Sequence, residues 1–328
     1  MKRIAINGMG RIGRAAFKII NDHPELELVA INDITDIDNI IYLIGHDSVH
    51  GKYHHEIRVH EDYLYVGDLK LKFFNEADPA RLPWAQLEVD VVIESTGIFT
   101  NREDAEKHIH AGAKTVVLSG PTKSVDIPTV VHGVNGDGGV NIFSCASCTT
   151  NNISPVIEIL GRRLGIEKAI MTTIHADTAS NAIVDGPSKK NYRMGRSGLN
   201  NLIPTTTGAA VATTKAMPEY KGRFDGLAIR VPVAVGSISD ITMVMSQSTS
   251  VDEVNAILEE ESLSDRYAEV FTTTTTPLVS TDIVKSSYAS IADLPMTKVV
   301  DGTLVKVLAW YDNEWGFTNQ MIRQILTM

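Results

Sequence analysis

The sequence predicts an α/β protein: a doubly wound nucleotide-binding domain followed by an α+β catalytic domain with a mixed sheet. Three observations carry this. A strand–glycine turn–helix–strand unit occupies the first thirty-odd residues. Strands and helices alternate through the first half. In the second half the strand patterns become longer and lie closer together.

The first unit begins with the apolar run 3–6 and turns at Asn7-Gly8-Met9-Gly10-Arg11-Ile12-Gly13-Arg14. A helical pattern through Ala16, Ile19 and Ile20 follows, then a second strand, 26–31, ending at Asn32-Asp33. Gly8 suits a tight turn, Gly10 lets the backbone approach a pyrophosphate, and Gly13 lets helix and strand pack closely. Arg11 and Ile12 complete the cofactor turn between the last two glycines. An acid twenty residues past the third glycine is placed to bind an adenosine ribose. Asp33 would repel a 2′-phosphate, which favours NAD over NADP.

Further strands are expected at 63–66, 69–73, 89–94 and 115–119, with a helix at 101–111 closed by Gly112. The alternation predicts a mostly parallel sheet. Ser95-Thr96 and Ser119 follow strand ends on the side where such sheets bind ligands. His46, His50, His54, His55 and His60 cluster in the sequence, but without zinc-ligand spacing. They are expected at the surface or the core edge, and no metal site is expected.

A short strand at 140–143 leads to Ser144-Cys145-Ala146-Ser147-Cys148-Thr149-Thr150-Asn151-Asn152, and then to a helical pattern (Ile153, Val156, Ile157, Leu160, Leu164). A cysteine at a helix start lies beside free N–H groups that favour negative charge, so the Cys148 thiol is expected to titrate low. Ser147, Thr149 and Thr150 are capping residues that can also donate to an anion. Thr172-Thr173-Ile174-His175 ends the next β-branched run and offers a base.

In the second half, strands are expected at 169–175, 226–233, 237–245 and 304–311. Helices are expected at 154–164, 207–217, 251–262 and 318–326. The threonine run 272–276 is compatible with a strand or with disorder. Pro204-Thr205-Thr206-Thr207-Gly208-Ala209 enters a helix and could cradle a phosphate. Arg230 lies amid apolar strand residues and needs an anion or a partner. Residues 185–198 read as a basic loop.

Composition excludes several functions. The 328-residue chain has 30 basic and 40 acidic residues, a formal charge of −10, with no basic stretch to neutralise nucleic-acid phosphates. Its two cysteines form no disulfide framework, which points to a reducing, cytoplasmic setting. No apolar segment suggests a signal peptide or a membrane span.

Together, the turn at 6–14, the segment 146–151, Thr172–His175, the run 203–210, Arg230-Val231-Pro232 and the segment 310–316 resemble the phosphorylating glyceraldehyde-3-phosphate dehydrogenases over essentially the whole chain. The resemblance implies a Rossmann-like domain of residues 1–147 and 313–328, the last helix packing back onto it, and a catalytic domain of 148–312. It implies NAD-dependent oxidation and phosphorylation of glyceraldehyde 3-phosphate by a homotetramer. Cys148 would attack the aldehyde and His175 would remove the proton. Thr178 and Arg230 would hold the substrate's phosphate. Ser147, Thr149, Arg196, Thr207 and Gly208 would hold inorganic phosphate. Asn313 would orient the nicotinamide.

Met9, Asn152, Phe317 and Cys145 depart from the common family pattern. Cys145 is expected to trap an oxidised Cys148 as a disulfide. Erythrose-4-phosphate dehydrogenase is the alternative activity. It is disfavoured because such enzymes usually lack the 205–208 stretch and the threonine at position 178. A regulatory NAD-binding module without chemistry is disfavoured by the intact Cys148, His175 and Arg230.

Overall fold

The computed structural model describes residues 1–136, 139–188 and 191–328. Two of the basic residues in the 185–198 loop, Lys189 and Lys190, therefore lie outside the described residues. The chain folds into two compact units. The first comprises Met1–Val130, Asp137–Ala146 and Met321–Met328; the second comprises Val131–Gly136 and Ser147–Gln320.

The first unit is built on an eight-stranded sheet. In spatial order its strands are Ile142–Ser144, Thr115–Leu118, Val91–Glu94, Lys2–Asn7, Leu26–Asn32, Leu69–Phe74, Tyr63–Val66 and Ile57–His60. The first six pair in parallel, and the last three form an antiparallel meander. The sheet is mostly parallel, as expected; the segments 57–60, 63–66 and 69–74 are antiparallel because tight turns join them, which only antiparallel neighbours can use. Chain direction switches sides between Lys2–Asn7 and Val91–Glu94, which opens a crevice at their C-terminal ends.

Helix Arg11–Asn21 packs its Ala15, Ala16, Phe17 and Ile20 face inward, and the Lys2–Asn7 and Leu26–Asn32 strands are buried along most of their lengths. A helix at Ile37–Gly45 was not foreseen; Asp36 caps it, accepting from the Asn39 N–H. The C-terminal segment is tied to this unit's first strand, where Lys2 Nζ donates to the Ile325 carbonyl at 2.6 Å.

The second unit carries a mixed sheet in which Ile203–Thr206, Phe224–Val231, Ile166–Ala176, Ser237–Met245, Leu304–Tyr311, Ser290–Asp293 and Phe271–Thr274 follow one another. Thr272, Thr273 and Thr274 of the threonine run lie in the last of these, a strand parallel to Ser290–Asp293, and Thr275 and Thr276 follow it. Period-two burial is plain in Ser237–Met245 and Leu304–Tyr311, whose odd-numbered residues from Ser237 and Val305 onward are buried. On that face lies helix Cys148–Leu164. Its Ile153, Val156, Ile157 and Leu160 join Met171, Ile241, Met243, Val305 and Val307 in one core. Asn152, fully buried, pins the helix start to the sheet by donating to the Trp310 carbonyl at 3.2 Å and the Ala309 carbonyl at 3.4 Å.

The glycine turn is tightly constrained. Gly8 has φ +98°, and a Cβ on Gly13 would stand 1.9 Å from the Gly8 carbonyl oxygen. Gly13→Ala must push the helix off the strand, so it is expected to destabilise the protein by at least about 2 kcal/mol. Urea unfolding of the variant beside Gly10→Ala, whose Cβ would meet open space, measures the difference.

Candidate active site

Each unit carries a candidate centre. In the first, a cavity of about 330 Å³ is lined by Asn7, Gly8, Gly10, Asn32, Asp33 and Thr96 among others. It lies at the switch point of the parallel strands. Helix Arg11–Asn21 begins at Gly10 with no side-chain cap, the kind of helix start that favours an anion. Asp33 holds the turn as well as facing the cavity. Its Oδ2 accepts from the Met9 N–H at 2.6 Å, and its Oδ1 from the Thr35 N–H at 2.8 Å. Carboxylate oxygens have further lone pairs, so ribose hydroxyls can still be bound.

Below the cavity a buried polar network fixes the strand ends. Glu94 accepts from Asn7 Nδ2 at 2.6 Å, the Thr96 N–H at 2.8 Å and His108 Nε2 at 3.1 Å. Trp84 Nε1 donates to His108 Nδ1 at 2.9 Å, which leaves the proton on Nε2. Ser95 Oγ donates to the Gly8 carbonyl at 2.7 Å, so it braces the turn. Thr96 lines the cavity, but its hydroxyl is given to Glu94. The Arg11 guanidinium turns to Asp47, 2.9 Å away. The Ser119 N–H bonds the Glu94 carbonyl, at the edge of this arrangement. The uncapped helix start, the open face of Gly10 and the Asp33 carboxylate fit a dinucleotide.

In the second unit, Ser147 caps the helix Cys148–Leu164, its Oγ accepting from the Thr150 N–H at 3.1 Å. This puts Cys148 at the first helical position. Cys148 Sγ lies 3.4 Å from His175 Nε2. His175 is 4 % exposed, and its strand pairs in parallel with Phe224–Val231, in a register that sets His175 beside Arg230. Arg230 Nη1 consequently sits 2.7 Å from His175 Nδ1 and donates to the Ala176 carbonyl at 3.1 Å. Nδ1 is also 2.7 Å from that carbonyl.

Both neutral tautomers therefore have a partner. With Nδ1–H donating to Ala176, Nε2 is a free base facing the sulfur. With Nδ1 accepting from Arg230, Nε2–H faces a thiolate. Burial and the Arg230 charge push the imidazole down to about 4, so it rests neutral at physiological pH.

The expectation of a low-titrating thiol is corrected here. Burial pushes the Cys148 thiol up, against the opposing pull of Arg230, the Thr149 hydroxyl and backbone N–H groups. The helix start was legible in the sequence; the depth at which it is buried was not.

Tyr311, Ser237 and Thr173, none of them given a role from the sequence, complete the centre. Tyr311 Oη bonds Thr149 Oγ1 at 2.9 Å and Thr173 Oγ1 at 2.8 Å, and its ring meets that of His175 edge-on. Ser237 Oγ accepts from the Ala176 N–H at 3.0 Å and donates to Asn313 Oδ1, also at 3.0 Å. Their signal was their place beside recognised motifs, on the buried parity of their strands. The Asn313 oxygen is thereby engaged, accepting from the Gly236 N–H as well.

The phosphate candidates are dispersed. Thr178 Oγ1 contacts Ser180 Oγ at 2.8 Å, Arg196 pairs with Asp185 at 2.8 Å, and Thr207 Oγ1 accepts from the Ala209 N–H at 3.1 Å. Gly208 begins helix Ala209–Ala216 without a side-chain cap. No bond among the described residues joins these four to the Cys148–His175 pair. Arg230 does meet the pair. It makes no ion pair among the described residues, and its buried Nε has no partner, which suits it to an incoming anion. Cys145 is buried, and burial pushes its thiol well up, so the thiolate that disulfide trapping requires is disfavoured.

Residues 2–102 match the family model described as glyceraldehyde 3-phosphate dehydrogenase, NAD binding domain, and residues 147–313 match that of the C-terminal domain. The chain is 44% identical to a Clostridium pasteurianum protein named glyceraldehyde-3-phosphate dehydrogenase, over 99% of this chain and 98% of the relative. It is 45% identical to the Thermotoga maritima protein of that name, over 98% and 97%. With the Bacteroides fragilis protein of that name the identity is 42%, over 98% and 97%.

The position of Arg230 makes one electrostatic prediction. Its removal in Arg230→Gln takes a cation from beside both partners, so the thiolate is disfavoured and the imidazolium favoured. Both titrations should move to higher pH. The pH profile of Cys148 alkylation by iodoacetamide should shift upward relative to wild type, and an unchanged profile would remove Arg230 from the pair's electrostatics.

Proposed function

The chain belongs to the glyceraldehyde-3-phosphate dehydrogenase family, and from that premise we propose that Cys148 is its nucleophile and His175 its general base. The reaction is the NAD-dependent oxidation and phosphorylation of glyceraldehyde 3-phosphate to 1,3-bisphosphoglycerate. The observation that carries the site assignment is the 3.4 Å approach of Cys148 Sγ to a neutral, doubly partnered His175.

Bound NAD supplies the two-electron acceptor, taking hydride from the substrate's aldehyde carbon. The turn Gly8, Gly10, Arg11, Ile12 and Gly13, with Asp33, Ser95, Thr96 and Ser119, is the segment we assign to holding it. Asn313 presents its NH₂ to the carboxamide. We assign residues 1–147 and 313–328 to this task and 148–312 to the chemistry.

The chain's own groups perform the rest. As sulfur bonds to the aldehyde carbon, its proton passes to His175 Nε2, so no free thiolate need form beforehand. The imidazolium formed keeps Nδ1–H on the Ala176 carbonyl and turns Nε2–H to the new alkoxide. Because Arg230 makes imidazolium costly, His175 gives the proton up readily, which suits a base that must reset each turnover.

Loss of hydride leaves a thioester on Cys148. Phosphate oxygen then attacks the thioester carbonyl, the carbon–sulfur bond breaks, and the sulfur is reprotonated through His175. Arg230 and Thr178 hold the substrate's phosphate in this reading. Ser147, Thr149, Arg196, Thr207 and Gly208 hold the attacking one, Thr149 through its backbone N–H since its hydroxyl serves Tyr311. The charge and cysteine content are consistent with a cytoplasmic enzyme, and the family's homotetramer is the assembly we propose. No helix among the described residues is long and apolar enough to cross a membrane.

Two measurements test this reading. NADH should form from glyceraldehyde 3-phosphate continuously with phosphate and only to about one turnover without it. Cys148→Ser should abolish turnover, and His175→Asn should lower kcat by roughly 10²–10⁴-fold. Phosphate-independent turnover, or a higher kcat/KM for erythrose 4-phosphate, would favour the erythrose-4-phosphate dehydrogenase reading instead.

A further inference from the structure

We propose that Asp22, His54 and His55 form a surface site for a divalent transition-metal ion of the zinc type. The three are remote in sequence from the chemistry above and take no part in it. Asp22 Oδ1 lies 3.1 Å from His55 Nε2 and 3.5 Å from His54 Nε2, and all three donor atoms fall within 4.8 Å of one another. An ion bound at roughly 2.0–2.2 Å from each donor with tetrahedral angles needs donors roughly 3.3–3.5 Å apart. The two edges to Asp22, 3.1 and 3.5 Å, lie close to that figure and the third is within 4.8 Å, so side-chain adjustment can bring all three donors onto one ion.

The donors are also held in place. The His54 and His55 rings lie with centroids 4.0 Å apart, and Tyr53 meets them edge-on at 5.1 and 5.3 Å. Tyr53 in turn packs on Phe17, within the buried face of helix Arg11–Asn21. Two adjacent imidazoles that both aim Nε2 at one carboxylate oxygen are thus braced from the core.

Electrostatics favour a cation at this point. Asp22 is the C-cap of helix Arg11–Asn21, where the helix dipole is negative and the carboxylate adds a full charge. Two imidazole nitrogens and one carboxylate suit zinc, copper or nickel, and do not suit calcium or magnesium, which prefer all-oxygen shells. All three residues are exposed, so water completes the coordination and the site is open. Linear spacing could not reveal it, because the carboxylate arrives from the end of the first helix, over thirty residues upstream.

Cobalt(II), a spectroscopic stand-in for zinc, tests this on the full-length chain with Cys148 alkylated, which removes the competing thiol. One Co²⁺ per chain should bind with visible d–d bands, lack thiolate charge-transfer absorption, and be displaced by Zn²⁺. His54→Gln, His55→Gln and Asp22→Asn should each weaken binding at least about tenfold, while His46→Gln leaves it unchanged. The substituted side chains are exposed, so the fold and the turnover measured without added metal should be unaffected. Absence of the d–d bands at saturating cobalt, or binding that survives His54→Gln and His55→Gln together, overturns the proposal.

Discussion

Everything in the second unit converges on one contact, sulfur to imidazole across 3.4 Å. It exists because a helix start and a strand end meet. The capping of Cys148–Leu164 by Ser147 fixes the sulfur. The register of Ile166–Ala176 against Phe224–Val231 fixes the imidazole and puts Arg230 behind it. A one-residue slip of that register would turn His175 to the other face of the sheet and separate the pair. The core under the helix and the Asn152 bonds to the last strand hold that geometry.

Burial pushes the thiol up, against the pull of Arg230, and burial with Arg230 pushes the imidazole down, both of which favour the neutral pair over the ion pair. Charge then appears only as the carbon–sulfur bond forms. The buried donors nearby are already oriented when that happens and need not reorganise. Tyr311 and Thr173 keep the Thr149 hydroxyl in place, so the wall of the site is rigid on both sides of the sulfur.

Much of this was legible in the sequence. The glycine turn, the alternating first half, and the strands Ser237–Met245 and Leu304–Tyr311 stood out because their apolar spacing is regular and long. Cys148, His175 and Arg230 were conspicuous as reactive or charged residues at element ends. What escaped notice depended on tertiary context. Helix Ile37–Gly45 buries only Ile40 and Ile44 and leaves Tyr42 and Leu43 exposed, so its short apolar run does not mark out a buried face. Tyr311 and Ser237 look like ordinary strand residues until the sheet is assembled. Ala146, immediately before the capping serine, has φ +61°, a left-handed conformation that only glycine or asparagine would have advertised. The depth of burial that sets the thiol's titration has no local signature at all.

The central claim is that covalent chemistry occurs at Cys148 with His175 as its base. Mass spectrometry of the enzyme mixed with NAD and glyceraldehyde 3-phosphate, without inorganic phosphate, tests it most directly. A 3-phosphoglyceroyl thioester should accumulate on the peptide bearing Cys148, leave Cys145 unmodified, disappear on adding phosphate, and form far more slowly in His175→Asn. NADH release with no acyl group on Cys148, or acylation that is indifferent to His175, would contradict the account.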